Sequence, residues 1–164
     1  MKTLGKIAVV GAGLAALYYL TIGILYFIGF RAYRIPTVAM QPTIQKDEMV
    51  FGRLSDNYRD AIQRFDIIVF TTRVRGSEEY YTKRVIGLPG EWITTGAKGV
   101  SINGQSLVLP TAVDIAGLLL RPTNIKIPEN AVFVLGDNTS NSADSRYLGP
   151  ISKTDVIGHI VGKK

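Results

Sequence analysis

From Ile7 to Phe30 the chain reads IAVVGAGLAALYYLTIGILYFIGF, a run without a single charged residue. As a helix rising about 1.5 Å per residue, such a run covers the roughly 30 Å hydrocarbon core of a bilayer. Lys2 and Lys6 precede it, Arg31 and Arg34 follow it, and Tyr26 and Tyr33 are spaced for a headgroup interface. The chain therefore divides into a short flank (1–6), one transmembrane helix (7–30) and a domain (35–164). Basic residues on both sides leave the positive-inside rule without a direction to choose. Two rival readings of the run fail. Gly11, Gly13 and Ala16 match a dinucleotide fingerprint, but the residues after them are apolar all round and the first acidic residue is Asp47. Thr37-Val38-Ala39 offers the small residues of a signal-peptide cut, yet the apolar core of such peptides is only about 7–15 residues long.

The chain has 164 residues and no cysteine, which removes disulfides, thiolate nucleophiles and cysteine metal sites. Its formal charge of +6 suits an anionic lipid surface or nucleic acid. The basic residues are scattered without interleaved aromatics, so nucleic acid is not an expected partner and the lipid bilayer is.

Beyond Arg34 the pattern changes to short runs rich in β-branched and aromatic residues. EMVFGR (48–53), DIIVFTTR (66–73), YYTKRVIG (80–87), GVSING (99–104), NIKIP (124–128), AVFVLGD (131–137) and DVIGHIVG (155–162) are predicted strands. Asn103-Gly104 signals a tight hairpin, DNYRDAIQRF a helical turn, and AVDIAGLLL reads equally as helix or strand. The expected fold class is mainly β, a mostly antiparallel sheet domain closed as a sandwich or barrel.

Counting excludes the common hydrolytic sites. His159 is the only histidine, it sits in an apolar run, and no nucleophile-elbow sequence accompanies it. Zinc lacks ligands. DNTSNSADSRYL starts like a calcium loop but has Ser142 at the turn glycine and Leu148 at the bidentate glutamate. No metal or other cofactor is expected. A lysine can take the place of histidine as general base if burial lowers its pKa from about 10.4 to nearer 7, at a cost of roughly 4 kcal/mol. Lys83 is the best candidate. Alternation places Tyr81, Lys83 and Val85 on one strand face and Thr82, Arg84 and Ile86 on the other. A strand with Lys83 in solvent is the simpler alternative.

Three segments, PTVAMQPTI (36–44), YYTKRVIGLPGE (80–91) and VLGDNTSNSADSRYLGP (134–150), together resemble the boxes of type I signal peptidases. These are membrane-anchored serine endopeptidases with a serine–lysine dyad on a mostly antiparallel β-domain. The resemblance covers the anchor and most of the domain and is weakest from Trp92 to Asn130. It implies that Ala39 stands at the nucleophile position, that Lys83 is the general base and that Ser142 orients the lysine. By the same resemblance, the Thr37 hydroxyl joins the N–H of residue 39 in an oxyanion hole. Val38, Met40 and Tyr81 border the substrate, and Asp137, Asp144 and Arg146 form a structural ion-pair group. The implied partners are signal peptides of exported pre-proteins, cut after small residues. The implied location is the bacterial plasma membrane, crossed once, with the domain on the outer face.

Alanine offers no nucleophile, and losing the nucleophile of a serine protease costs on the order of a millionfold in turnover. The chain as written is expected to bind without cutting. An enzyme silenced at one position, a natural pseudoenzyme that guides secreted chains, and the related processing peptidase of conjugative transfer all fit these residues. Val38, where many members carry glycine, leaves the preference at the third substrate position open. A membrane-tethered β-domain without catalytic ancestry would instead hold Lys83 in solvent, away from Ala39.

Overall fold

A computed structural model describes residues 2–27, 29–54, 56–74 and 76–163 of the chain. Helix α1 runs over Lys2–Phe27 and strand β1 over Phe30–Arg34. The helix thus stops short of the expected Phe30. Gly29 adopts φ 84°, the left-handed conformation that ends helices, and its N–H bonds the Tyr26 carbonyl at 3.1 Å. Ile28 and the side chains of residues 7–10 and 27 lie outside the described residues. Among the described residues, no helix is long and apolar enough to cross a membrane. From Gly11 to Tyr26 every residue of α1 is exposed, and the β-domain reaches it at its end, where Arg31 of β1 lies 3.6 Å from the centre of the Tyr26 ring.

The seven predicted strands form, as β2 (Met49–Leu54), β3 (Ile67–Val74), β4 (Ser77–Gly87), β6 (Gly99–Ile102), β8 (Thr123–Lys126), β9 (Ala131–Leu135) and β11 (Val156–Lys163). Unpredicted are β1, β5 (Trp92–Gly96), β7 (Gln105–Leu107) and β10 (Ile151–Ser152). Asn103 and Gly104, at φ 51° and 82°, make the tight turn between β6 and β7. The helical turn appears as a 3₁₀ segment over Asp56–Asp60, and the ambiguous stretch holds another over Ala116–Leu119.

The strands build two antiparallel sheets, ordered β1-β2-β11-β3-β4-β9-β10 and β7-β6-β5-β8. Strand β4 lies inside the larger sheet, with Lys83 opposite Ile68 of β3 and Arg84 opposite Leu135 of β9. Its first residues are exposed, whereas Lys83 to Gly87 are buried on both faces. The cause is a pair of cores, one on either side. Val85 packs with Ile68, Phe70, Val132 and Val134, while Ile86 packs with Ile93, Leu118, Phe133 and Leu135. A third cluster, Ile35, Met40, Ile44 and Val50, sits beneath the segment after β1. Lys83 owes its burial to its place at the entry to this doubly covered half of β4.

Candidate active site

The segment after β1 is fixed by what it buries. Ile35 bonds Glu48 and Asp47 through backbone contacts of 3.0 and 2.7 Å, and Ile44 donates to the Met40 carbonyl at 2.8 Å. With Ile35, Met40 and Ile44 anchored in the third core, residues 36–39 bulge outward toward β4. Met40, expected beside the substrate, instead lies fully buried in that core and does not line the cleft. The reason is packing: Met40 is held among Ile35, Ile44 and Val50, while residues 37 to 39 line the cleft.

A cleft of about 590 Å³ opens where this segment faces β4. Thr37, Val38 and Ala39 form one wall, Tyr81, Thr82 and Lys83 the other, and Asn141 and Ala143 close it. Lys83 is only 3% exposed, which removes the reading of a solvated strand lysine. Its Nζ donates to the Thr82 carbonyl at 3.1 Å and lies 5.1 Å from the centre of the Tyr81 ring. Burial pulls its pKa down from 10.5 to about 8, against the opposing pull of the Asp144 carboxylate. Tyr81 stacks on Phe70, and its hydroxyl donates to Glu79 at 3.3 Å. Burial, then Glu79, raises the Tyr81 pKa.

The third segment holds the floor of the site. Asp144 caps α2 (Ser145–Leu148) and pairs with Arg146 at 2.8 Å, with neither side chain exposed. Arg146 also donates to the carbonyls of Gly117 and Thr139, at 2.5 and 2.6 Å. It thereby ties the 116–119 turn to the loop; a Cβ on Gly117 would collide with the Thr139 backbone. The same segment completes the open edge of β9: Ser145 Oγ accepts from Val134 N–H at 2.9 Å, and Asp144 accepts from Gly136 N–H at 3.1 Å.

Asp137 is not part of the Arg146 pair. It takes two hydrogen bonds from Arg84, at 2.7 and 2.6 Å, and one from the Thr43 hydroxyl. The expected ion-pair group is therefore two pairs, and Arg84 is the member that was missed. Its signal was the alternation on β4: a cation on the face opposite Lys83, beside Ile86, has to find a carboxylate when that face is covered.

Asn138 fastens the first segment to the third. Its backbone N–H donates to the Ala39 carbonyl at 3.0 Å and its side chain to the Val38 carbonyl at 3.4 Å. Gly136 allows this approach, because a Cβ there would meet Ser142 Oγ and come within 2.6 Å of the Ala39 carbonyl oxygen. Ser142 Oγ is buried and has no hydrogen-bond partner. No hydrogen bond joins it to Lys83, whose amine turns to Thr82 instead. His159 lies elsewhere, on β11, stacked 3.9 Å from Tyr58. Among the described residues, no three His, Asp or Glu side chains gather to hold a metal.

The assembly places a buried lysine, its pKa lowered to about 8, in the wall of an open cleft of about 590 Å³. The sequence is similar to known proteins over most of its length. Residues 6–162 match the family model described as signal peptidase, peptidase S26. A probable signal peptidase I-2 of Synechocystis sp. is 32% identical over 149 residues, which are 85% of this chain and 64% of the relative. The chain thus spans under two thirds of that relative's length. A signal peptidase I of Bacillus amyloliquefaciens is 32% identical over 163 residues, 94% of this chain and 80% of the relative. A solved signal peptidase I of Enterococcus faecalis V583 has 32% identity, covers 60% of this chain and 95% of its own, and superposes with a TM-score of 0.48. With a match from end to end of the β-domain and relatives of this identity, the chain belongs to the signal peptidase, peptidase S26 family.

Proposed function

We propose that this is a membrane-anchored signal peptidase silenced at its nucleophile: its cleft receives the small-residue end of a signal peptide, and Ala39 leaves nothing to attack with. The observation that carries the reading is Lys83, buried in the wall that faces Ala39 and held to a pKa of about 8. In a serine form the neutral amine takes the hydroxyl proton, and the serine oxygen attacks the peptide carbonyl. The N–H of residue 39 and the Thr37 hydroxyl receive the developing oxyanion, where preorganised donors contribute most. Water activated by the same lysine then releases the acyl group. Ser142 would hold the amine once a substrate closes the site, and Val38 and Tyr81 shape the pockets for small side chains.

The charge-free stretch of α1 from Ile7 onward and the exposure of every residue from Gly11 to Tyr26 support an anchor in the bilayer, because a helical stretch apolar all round needs an apolar surrounding. Exported substrates place the domain on the outer face of a bacterial plasma membrane. The full-length Ala39→Ser protein in liposomes is expected to cut a pre-protein at its A-x-A boundary, while the unaltered chain and Ala39→Ser/Lys83→Ala do not. If Ala39→Ser folds, binds and leaves the pre-protein whole, the silenced-enzyme reading gives way to a binding-only pseudoenzyme.

A further inference from the structure

Among the described residues, donors in the cleft lining are left without protein acceptors. Lys83 Nζ carries three N–H donors and makes one hydrogen bond. The Ala39 N–H donates to none of the described residues. Arg34 adds a second cation to the lining against one carboxylate, Glu79, which already accepts from Tyr81. The neutral carbonyl of an unbroken peptide answers one or two such donors. A carboxylate, with two anionic oxygens and about four acceptor sites, answers all of them.

We infer that the cleft of this chain is a receptor for the free C-terminal carboxylate of an already cleaved signal peptide, held by Lys83 Nζ and the Ala39 N–H. The inference rests on the proposed signal-peptide cleft and names the form of ligand that the alanine selects. A serine hydroxyl at 39 would compete for the lysine amine and occupy the space beside it; the alanine methyl leaves both to the ligand. Burial lowers the affinity of the amine for its proton, but at neutral pH it is still mostly ammonium, the form that grips an anion. Asp144 favours that charge, Glu79 and Tyr81 share strand β4 with it, Arg34 lines the same cleft, and Ile68 opposite on β3 is apolar.

The test uses the full-length protein in detergent micelles and fluorescence anisotropy with three peptides sharing one apolar core and an A-x-A end. The first stops in a free carboxylate, the second in a carboxamide, and the third continues uncut for several residues. The carboxylate peptide is expected to bind roughly 10- to 100-fold more tightly than the other two at pH 7. That advantage should shrink as pH rises past about 8 and vanish in Lys83→Met, whose fold is checked by circular dichroism. Equal binding of carboxylate and carboxamide overturns the inference and leaves the signal-peptide cleft standing. Failure of all three peptides to bind overturns the cleft reading and the inference with it. A preference that survives Lys83→Met overturns the role given to the lysine.

Discussion

Lys83→Met should make this protein more stable, and by an amount that depends on pH. Lysine is about as long as methionine, so the substitution keeps the volume of a side chain that is 3% exposed. The fall of the lysine pKa from 10.5 to about 8 corresponds to about 3 kcal/mol, at about 1.4 kcal/mol per pH unit. A depressed lysine binds its proton less tightly folded than unfolded, so stability rises with pH wherever the unfolded chain holds the extra proton. Below about pH 8 both states are protonated and the full penalty applies; above 10.5 both are neutral and it is gone. Urea unfolding of the full-length chain in detergent should show the methionine variant ahead by about 3 kcal/mol at pH 7. The difference should narrow between pH 8 and 10.5. A gap that does not change with pH, or an unaltered chain that is the more stable of the two at pH 7, would refute the argument that burial sets this lysine's proton affinity.

Asp144→Asn strands the Arg146 guanidinium where neither partner meets solvent, and should cost about 3–5 kcal/mol by thermal or urea unfolding. Gly117→Ala places a methyl against the Thr139 backbone, which cannot swing aside as a side chain would; about 1–3 kcal/mol should be lost, visible as a lowered Tm. A double-mutant cycle between Ala39→Ser and Lys83→Met reads the contact across the cleft. The new hydroxyl should cost little beside the amine and about 1–3 kcal/mol once methionine leaves it without a partner, so additive effects would place the two residues out of reach of each other.

Much of the β-domain was open to reading because its strands announce themselves locally. Asn103-Gly104 asks for a tight turn, and the runs on either side of glycine and proline alternate as half-buried strands do. Strands β7 and β10 are three and two residues long, too short for any period, and form because a longer neighbour is there to pair with. Strand β1 was hidden for another reason. Its first residue, Phe30, prolongs the apolar run, and the break lies in the backbone of Gly29 rather than in a change of polarity. In the site, alternation placed Lys83 and Arg84 on opposite faces of β4 but could not tell that both faces were covered. That fact depends on two cores assembled from residues far along the chain. The same distance concealed Asn138, which ties residues 38 and 39 to the third segment across a hundred positions. It also concealed the partner of Asp137, since a buried carboxylate between two arginines is assigned by geometry alone.

The alanine at 39 is cheap for the fold and the lysine at 83 is not, and that asymmetry bears on which reading fits. Every contact that positions residue 39 runs through its backbone or its neighbours: its carbonyl accepts from Asn138, Met40 is sunk in the core, and Thr43 reaches Asp137. None of these hydrogen bonds and anchors uses a group that a serine at 39 would add, so exchanging a hydroxyl for a hydrogen there leaves the frame standing. Lys83 opposes folding at neutral pH by about 3 kcal/mol, and the unpartnered hydroxyl of Ser142 adds a desolvation cost of its own. A domain that needed only to fold would be better off with a methionine at 83 and an alanine at 142. This chain keeps both costs, which on the proposed function are the electrostatics of a peptidase cleft without its nucleophile, the amine being set to hold either a serine proton or the carboxylate that such a serine would have released.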